Sequence, residues 1–126
     1  MGRGHGEAQV IDVELIPLVA QRFKALADAG RLSLLAALQR GERSVGELAQ
    51  ATGRSQPNVS QQLASLAHAG LVEARRDGTR TYYRIADATI LRICDAVCES
   101  IVARARGLRR EPTLLSERRR RALAAR

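Results

Sequence analysis

The sequence predicts a mainly α-helical fold with one small β-hairpin, and three observations support this prediction. Of the 126 residues, 45% are hydrophobic but only 2% are aromatic, so the core must consist mostly of aliphatic side chains, which favour helices. Apolar residues recur at helical spacing along most of the chain. The period changes to two only around Asp77-Gly78, a dipeptide typical of tight hairpin turns. The length fits one domain and excludes a multidomain enzyme.

The first two helices are predicted from apolar periodicity and capping residues. One extends from residue 10 to about residue 27, and Pro17 marks either a kink in it or its start. Asp28 is a suitable cap for the second helix, which Gly41 ends.

Two further helices follow, joined by a short turn. Ser44 and Glu47 have the spacing of a capping box, which predicts the start of a short helix that Gly53 ends. Ser55 as a cap and Pro57 in the first turn predict the next helix, which extends to about residue 69. Together these elements predict a helix-turn-helix.

Residues 72–85 predict the hairpin. With Asp77-Gly78 as the two turn residues, Arg75 lies opposite Arg80, and Arg76 joins them at the tip. Like charges opposite one another destabilise a hairpin, so such a tip favours a bound phosphate backbone. The same pairing directs four apolar side chains toward the core: Val72, Ala74, Tyr83 and Ile85.

A long amphipathic helix is predicted from residue 88 to about residue 105, with Gly107 and Pro112 interrupting the chain after it. Residues 116–126 then form a last short helix or stay disordered. We therefore divide the chain into a flexible leader at 1–9, a domain at 10–107 and an Arg-rich tail at 108–126.

The net charge of +8 points to an anionic partner but does not distinguish DNA, RNA and a membrane surface. Most of the charge lies in the tail, since residues 108–126 carry seven Arg and two Glu. The two cysteines exclude a secreted disulfide framework, and the chain shows neither a signal peptide nor a long apolar stretch. We expect a cytoplasmic protein without a membrane partner.

The second helix of the helix-turn-helix has the composition of a base-contacting helix. No Lys, Arg, Asp or Glu occurs from Ser55 to Gly70, whereas an ordinary solvated helix carries charge. Asn and Gln pair with adenine in the major groove, and a hairpin after such a helix contacts the DNA backbone. The outward face, with Gln62 near its edge, offers five residues: Gln56, Pro57, Asn58, Ser60 and Gln61. These five and the three hairpin arginines are the predicted DNA-binding residues of a winged helix-turn-helix. The alternative is that the amides are merely polar surface.

Six segments, taken in order, resemble the ArsR/SmtB family of bacterial winged-helix repressors. They are residues 23–28 (FKALAD), 31–32 (RL), 41–49 (GERSVGELA), 55–63 (SQPNVSQQL), 69–72 (AGLV) and 78–84 (GTRTYYR). The resemblance implies a homodimer, formed by the first and last helices, that binds a partly palindromic double-stranded DNA operator and leaves it when an effector acts. By position, the family's DNA contacts fall on Gln56, Pro57, Ser60 and Gln61. Pro57 departs from the usual Ser, so a hydroxyl contact is lost and a different operator preference is expected.

The best-known metal sites of this family are missing from the sequence. In arsenic- and cadmium-sensing members, cysteines lie in the first helix of the helix-turn-helix, and residues 45–52 contain none. The zinc-sensing pattern keeps only Asp87, because Thr89, Ser100 and Ala103 occupy the other positions. No confident metal site or cofactor is predicted, and the small effector is not identified.

Cys94 and Cys98 are four residues apart on one face of the last helix. Across a dimer axis they bring four thiols together, which suits release by oxidant or persulfide, or alternatively the binding of arsenite or a soft metal. The competing interpretation is that both cysteines are small apolar residues packed in the dimer interface.

Two other classes of protein are weaker explanations. A general basic RNA-binding protein accounts for the high pI but not for the uncharged helix or the hairpin. An enzyme, such as a thiol oxidoreductase, lacks a His or Lys near the cysteines in sequence to activate them, so no enzymatic activity is predicted.

Overall fold

The structure is a computed structural model that describes residues 11–109. The predicted leader at 1–9 and residues 110–126 of the predicted tail lie outside the described residues. In chain order the elements are a 3₁₀ turn (Val13–Leu15), α1 (Ile16–Leu26), α2 (Ala29–Leu38), β1 (Arg43–Ser44), α3 (Val45–Thr52), α4 (Gln56–His68), β2 (Val72–Asp77), β3 (Arg80–Ile85) and α5 (Thr89–Arg109). The prediction of a mainly helical fold with a small hairpin is confirmed, and β1 adds a short third strand.

The predicted caps are present as hydrogen bonds. The side chains of Asp28, Ser44 and Ser55 each accept from the backbone amide three residues later, at 3.0, 3.1 and 3.2 Å. Glu47 Oε1 accepts in return from the Ser44 amide at 2.8 Å, which completes the capping box. Pro17 lies in the first turn of α1, so it marks a helix start and not a kink. These short-range bonds fix where α2, α3 and α4 begin.

The predicted register of the hairpin is wrong by two residues. In the antiparallel sheet, ordered β1-β3-β2, Asp77 pairs with Arg80 and Arg75 pairs with Tyr82, so the turn residues are Gly78 and Thr79. Gly78 has φ +66°, and a glycine at the first turn position is what a type II′ hairpin turn requires. Opposite charges therefore face each other at the tip, where the prediction had placed two arginines.

A shift of two residues leaves the same side chains on each face of the hairpin. Val72 is buried, and Tyr83 and Ile85 pack against the core as predicted. Ala74 lies on the same face but is exposed, because it is nearer the tip of the hairpin than the other three.

The core is aliphatic and lies where α2, α3 and α4 meet the base of the hairpin and the start of α5. Its largest fully buried side chains are Leu34, Leu38, Leu48, Val59, Leu63, Leu66, Leu71 and Ile90. This packing holds α4 by one face and leaves its opposite face in solvent.

The prediction that Gly107 interrupts the last helix is wrong, because α5 continues to Arg109. A glycine inside a helix costs only about 1 kcal/mol, which a helix of this length tolerates. The predicted domain boundary after residue 107 therefore falls inside α5.

Large apolar side chains are exposed on two parts of the chain, the region around α1 and the second half of α5. We call this the α1–α5 apolar surface, and its members are Ile11, Val13, Leu15, Ile16, Leu18, Phe23, Val97 and Ile101. Their exposed fractions range from 46% to 75%. Within residues 11–109, no helix is both long and apolar enough to cross a membrane.

Candidate nucleic-acid interface

The exposed side of α4 faces the hairpin across a cleft of about 560 Å³. Gln56 and Ser60 line the cleft from α4, and Arg80 lines it from β3. Gln61 and Pro57 are exposed on the same helix. The structure thus brings polar side chains of α4 and one hairpin arginine to a common surface.

Two residues that sequence reasoning missed also line this cleft. Gln50 of α3 lies three residues after Glu47, so helical spacing places both residues on one face of α3. This spacing is the signal in the sequence that could have identified Gln50. Thr79 lies in the cleft because it is a turn residue, which followed only from the observed register.

Asn58 differs from the other predicted contacts on α4. Its side chain is partly buried, and its Oδ1 accepts a hydrogen bond from Arg54 Nη1 at 3.3 Å. Its neighbours Gln56, Ser60 and Gln61 are exposed. The structure therefore directs the Asn58 side chain toward Arg54, in the turn between α3 and α4.

The three hairpin arginines have different surroundings. Arg75 forms a two-fold hydrogen-bonded ion pair with Glu42, with Nε donating to Oε2 at 3.0 Å and Nη2 to Oε1 at 2.8 Å. Its guanidinium also lies 4.8 Å from the centre of the Tyr82 ring. Hydrogen bonding to Glu42 raises the pKa of Arg75, and the same contact lowers the pKa of Glu42.

Arg76 and Arg80 remain exposed near the tip of the hairpin. Among the described residues, Arg76 makes no ion pair, and Arg80 lies close enough to Glu47 to contribute to its lowered pKa. The largest cause of the lowered pKa is the hydrogen bond from the backbone amide of Ser44, which stabilises Glu47 as a carboxylate in the capping box.

The two thiols on α5 are in unequal environments. Cys94 packs against the core, and burial, followed by the neighbouring Cys98, raises its pKa. Cys98 is exposed on the same stripe as Val97 and Ile101. Within the described part of the chain, no three His, Cys, Asp or Glu side chains are grouped so as to hold a metal ion.

Asp87, the remaining position of the zinc-sensing pattern, has structural partners. It accepts from the Thr89 amide at 3.0 Å and from Arg22 Nη1 at 2.6 Å. The Thr89 amide is the largest cause of its lowered pKa, with a contribution from Arg22. This carboxylate therefore joins α1 to the start of α5.

Comparison with known proteins places these features in a family. The model of the family described as "Bacterial regulatory protein, arsR family" matches residues 28–74. The chain is 48% identical over 79 residues to the "HTH-type transcriptional regulator Rv0324" of Mycobacterium tuberculosis, a match over 63% of this chain but only 35% of that protein. It is 42% identical over 79 residues to the "Biofilm growth-associated repressor" of Xylella fastidiosa, covering 63% of this chain and 69% of that one.

Solved structures show the same fold. A solution NMR structure of the "homodimeric winged helix-turn-helix DNA-binding domain" of Mb0332 from Mycobacterium bovis superimposes with a TM-score of 0.65 at 41% identity, covering 83% of this chain and 96% of that one. The predicted winged helix-turn-helix, with β2 and β3 as the wing, is confirmed. From its sequence and its fold, the chain belongs to the ArsR family of bacterial regulatory proteins.

Proposed function

We propose that this protein is a transcriptional repressor that binds an inverted-repeat DNA operator as a homodimer. The observation that carries the proposal is the exposed, uncharged polar face of α4. Gln56 and Gln61 offer amides that match the adenine edge, and an α-helix fits the major groove. A helix that only faced solvent would carry charged side chains.

The wing supplies the charge that α4 lacks. Arg80 borders the cleft beside Gln56, and Arg76 is exposed on the neighbouring strand. Exposed arginines near the tip of the wing suit phosphate oxygens beside a bound groove. Base contacts and phosphate contacts are thus assigned to different elements, α4 and the wing.

The α1–α5 apolar surface supports dimerisation through the first and last helices. Large exposed apolar patches mark interaction surfaces in soluble proteins, and both α1 and the second half of α5 expose large apolar side chains. A two-fold dimer presents two α4 helices about 34 Å apart, one turn of DNA, which is why an inverted repeat is expected. The M. bovis relative is described as homodimeric, and the X. fastidiosa relative is named a repressor, which favours both assignments.

Release through thiol chemistry is a second proposal, favoured by the exposed position of Cys98 on α5, next to Val97 of the α1–α5 apolar surface. Peroxide takes two electrons and two protons from two thiols, forming a disulfide and water, and such a bond in the dimer interface changes how the α4 helices are spaced. Arsenite or a soft metal ion is the alternative, and it requires the same thiols as ligands. Operator binding by Cys94→Ser and Cys98→Ser, with and without peroxide, persulfide, arsenite and divalent metals, tests both. An unchanged response in both variants would show that the thiols only pack.

The main test begins with selection of binding sites from a random DNA library. The expected product is an inverted repeat with half-sites about one helical turn apart. Gln61→Ala should lower the ratio of operator to random-DNA affinity, whereas Arg76→Ala should weaken both equally and reduce the salt slope by about one.

Gln39→Ala is the matched control, at an exposed glutamine that follows α2 outside the cleft. It should change neither the ratio of operator to random-DNA affinity nor the salt slope. Equal losses on operator and random DNA for Gln61→Ala would contradict the base contact. Unselective binding of RNA as tightly as DNA would overturn the repressor assignment in favour of general nucleic-acid binding.

A further inference from the structure

A second amide-bearing face of α4 is not used by the proposed function. Asn58 and Gln62 are four residues apart, so they share a face, and both are partly buried. Each accepts a hydrogen bond from an arginine outside α4: Asn58 from Arg54 Nη1, in the turn before α4, at 3.3 Å, and Gln62 from Arg31 Nη1 of α2 at 3.0 Å. The amides of α4 therefore fall into an exposed set and a set bonded within the protein.

Arg31 joins three elements through one guanidinium. Besides Gln62, it donates from Nε to the Ala25 carbonyl at 2.6 Å and from Nη2 to the Lys24 carbonyl at 3.3 Å. Both carbonyls lie in the last turn of α1, where the i+4 amide of a continuing helix is missing, and the Lys24 carbonyl also accepts from the Ala27 amide at 3.2 Å. Arg31 belongs to α2, so the end of α1, the start of α2 and the middle of α4 meet at this side chain.

The Gln62 amide is engaged at both ends. Its Oε1 accepts from Arg31, and its Nε2 donates to Asp28 Oδ1 at 3.4 Å. The same Asp28 oxygen caps α2 by accepting from the Arg31 amide. A side chain held in this way is not available to a base edge unless the network opens.

Arg54 occupies space that only a glycine leaves open. A Cβ added to Gly30 would lie 2.5 Å from Arg54 Nη1 and 2.7 Å from Cζ. Gly30 is buried in the first turn of α2, and its backbone is not in the left-handed region that favours glycine. Room for the guanidinium, and not backbone conformation, is therefore the structural use of this glycine.

We propose that Asn58 and Gln62 are positioning residues, and that Arg31 and Arg54 act through them to orient α4 against α2 and α1. This inference rests on the proposed function and reassigns Asn58 from base contact to positioning. Operator selectivity then depends on side chains that do not touch DNA. Because Arg31 also bonds α1, the orientation of α4 is tied to the helix that carries Phe23 of the α1–α5 apolar surface.

The first test is Gly30→Ala, which displaces the Arg54 guanidinium without removing a core side chain. Alanine favours the helix over glycine, so the melting temperature should stay the same or rise. Operator affinity should nevertheless fall about tenfold, the size expected for loss of one hydrogen bond to a charged donor, while affinity for random DNA changes less than about twofold. Unchanged selectivity would refute the role of Arg54.

The second test is a double-mutant cycle between Arg31→Lys and Gln62→Met. Methionine keeps the length of the side chain but loses both hydrogen bonds. Each single variant should lower operator affinity about tenfold, and the double variant should be no worse than either, because both remove the same contact. Gln61→Met is the control on the exposed face, and its loss should add fully to that of Arg31→Lys.

The outcomes separate three explanations. Additive losses for Arg31→Lys and Gln62→Met would indicate an independent base contact by Gln62 and overturn the proposal. If a variant loses affinity equally for operator and random DNA, in proportion to its unfolded fraction, then the contacts serve only folding. That result would also overturn the proposal. Failure of the wild type to select any sequence refutes the proposed function itself, whereas a selective wild type with unchanged variants refutes only the positioning role.

Discussion

Replacing Phe23 by alanine should dissociate the dimer while leaving each chain folded. Phe23 is 52% exposed and does not belong to the buried core. An aromatic side chain buries about 150–250 Å² when fully covered, so covering its exposed half removes about 75–125 Å² from water. At roughly 25 cal/mol per Å² this amounts to about 2–3 kcal/mol for each chain.

A two-fold dimer contains this position twice, and alanine retains a small part of the contact. The expected weakening is therefore about 3–5 kcal/mol, or roughly a hundred- to several-thousand-fold in the dimer dissociation constant. Sedimentation velocity over a dilution series measures that constant, and far-ultraviolet circular dichroism shows whether the helices remain. Binding to a complete operator should fall in parallel, while the weak affinity for a single half-site should not change.

Leu32→Ala is the control for this prediction. Leu32 is also a large exposed apolar residue, at 40%, but it lies on α2 outside the α1–α5 apolar surface. The dimer dissociation constant of Leu32→Ala should equal that of the wild type. If the dimer dissociation constant of Phe23→Ala equals that of the wild type, the chains associate through another surface. If both variants weaken the dimer equally, the effect does not depend on this surface.

Four further changes have expected outcomes. Ser44→Ala removes a buried cap and should lower the free energy of unfolding by about 1 kcal/mol in chemical denaturation, whereas an unchanged midpoint would mean that the cap contributes nothing. The pKa of Glu47 is lowered in the folded state, so its stabilising contribution is present above its ordinary pKa of 4.5 and is lost as the pH falls below it. Urea midpoints between pH 6 and pH 3 should show this fall, and Glu47→Gln should make it shallower. Arg75→Gln should leave the salt slope of DNA binding near that of the wild type, because Arg75 is paired with Glu42, whereas Arg76→Gln should reduce the slope by about one; equal slopes for the two variants would reject this distinction. Cys98 should react with a maleimide faster in the dissociated Phe23→Ala chain than in the wild-type dimer, and equal rates would place it outside the interface.

The helix starts were predictable because the groups that define them are close in sequence. A capping side chain and the amide that it bonds are three residues apart, so Asp28, Ser44 and Ser55 could be identified from spacing alone. The uncharged face of α4 was predictable for the same reason, since helical spacing shows which of its residues share a face. Four of the five residues predicted on its outward face are exposed, Asn58 is partly buried, and Val59 and Leu63 lie in the core.

The hairpin register required information from distant residues. Asp77-Gly78 and Gly78-Thr79 both place the glycine in the turn, so the local sequence allows either. The observed alternative puts Arg75 opposite Tyr82 and within reach of Glu42, a residue 33 positions earlier. Residue spacing within the hairpin does not predict a contact with so distant a residue.

The same limit applies to Asn58 and Gln62. Both amides match Gln56 and Gln61 in residue type, and only their burial and their arginine partners separate them. Gln62 is bonded to Arg31, 31 residues away, and Arg54, although only four residues before Asn58, lies against Gly30 of α2. Likewise, the shared face of Cys94 and Cys98 was predictable from their spacing, but the contact of Cys94 with the core was not.

The placement of the two tyrosines gives this protein an intrinsic optical probe. The chain contains no tryptophan, and Tyr82 and Tyr83 are its only tyrosines, both on β3 of the wing. Tyrosine fluorescence from the unlabelled protein therefore originates in the wing alone. Quenching on titration with DNA would report contact at the wing, and the same emission followed during denaturation would show whether the wing melts together with the helices or before them.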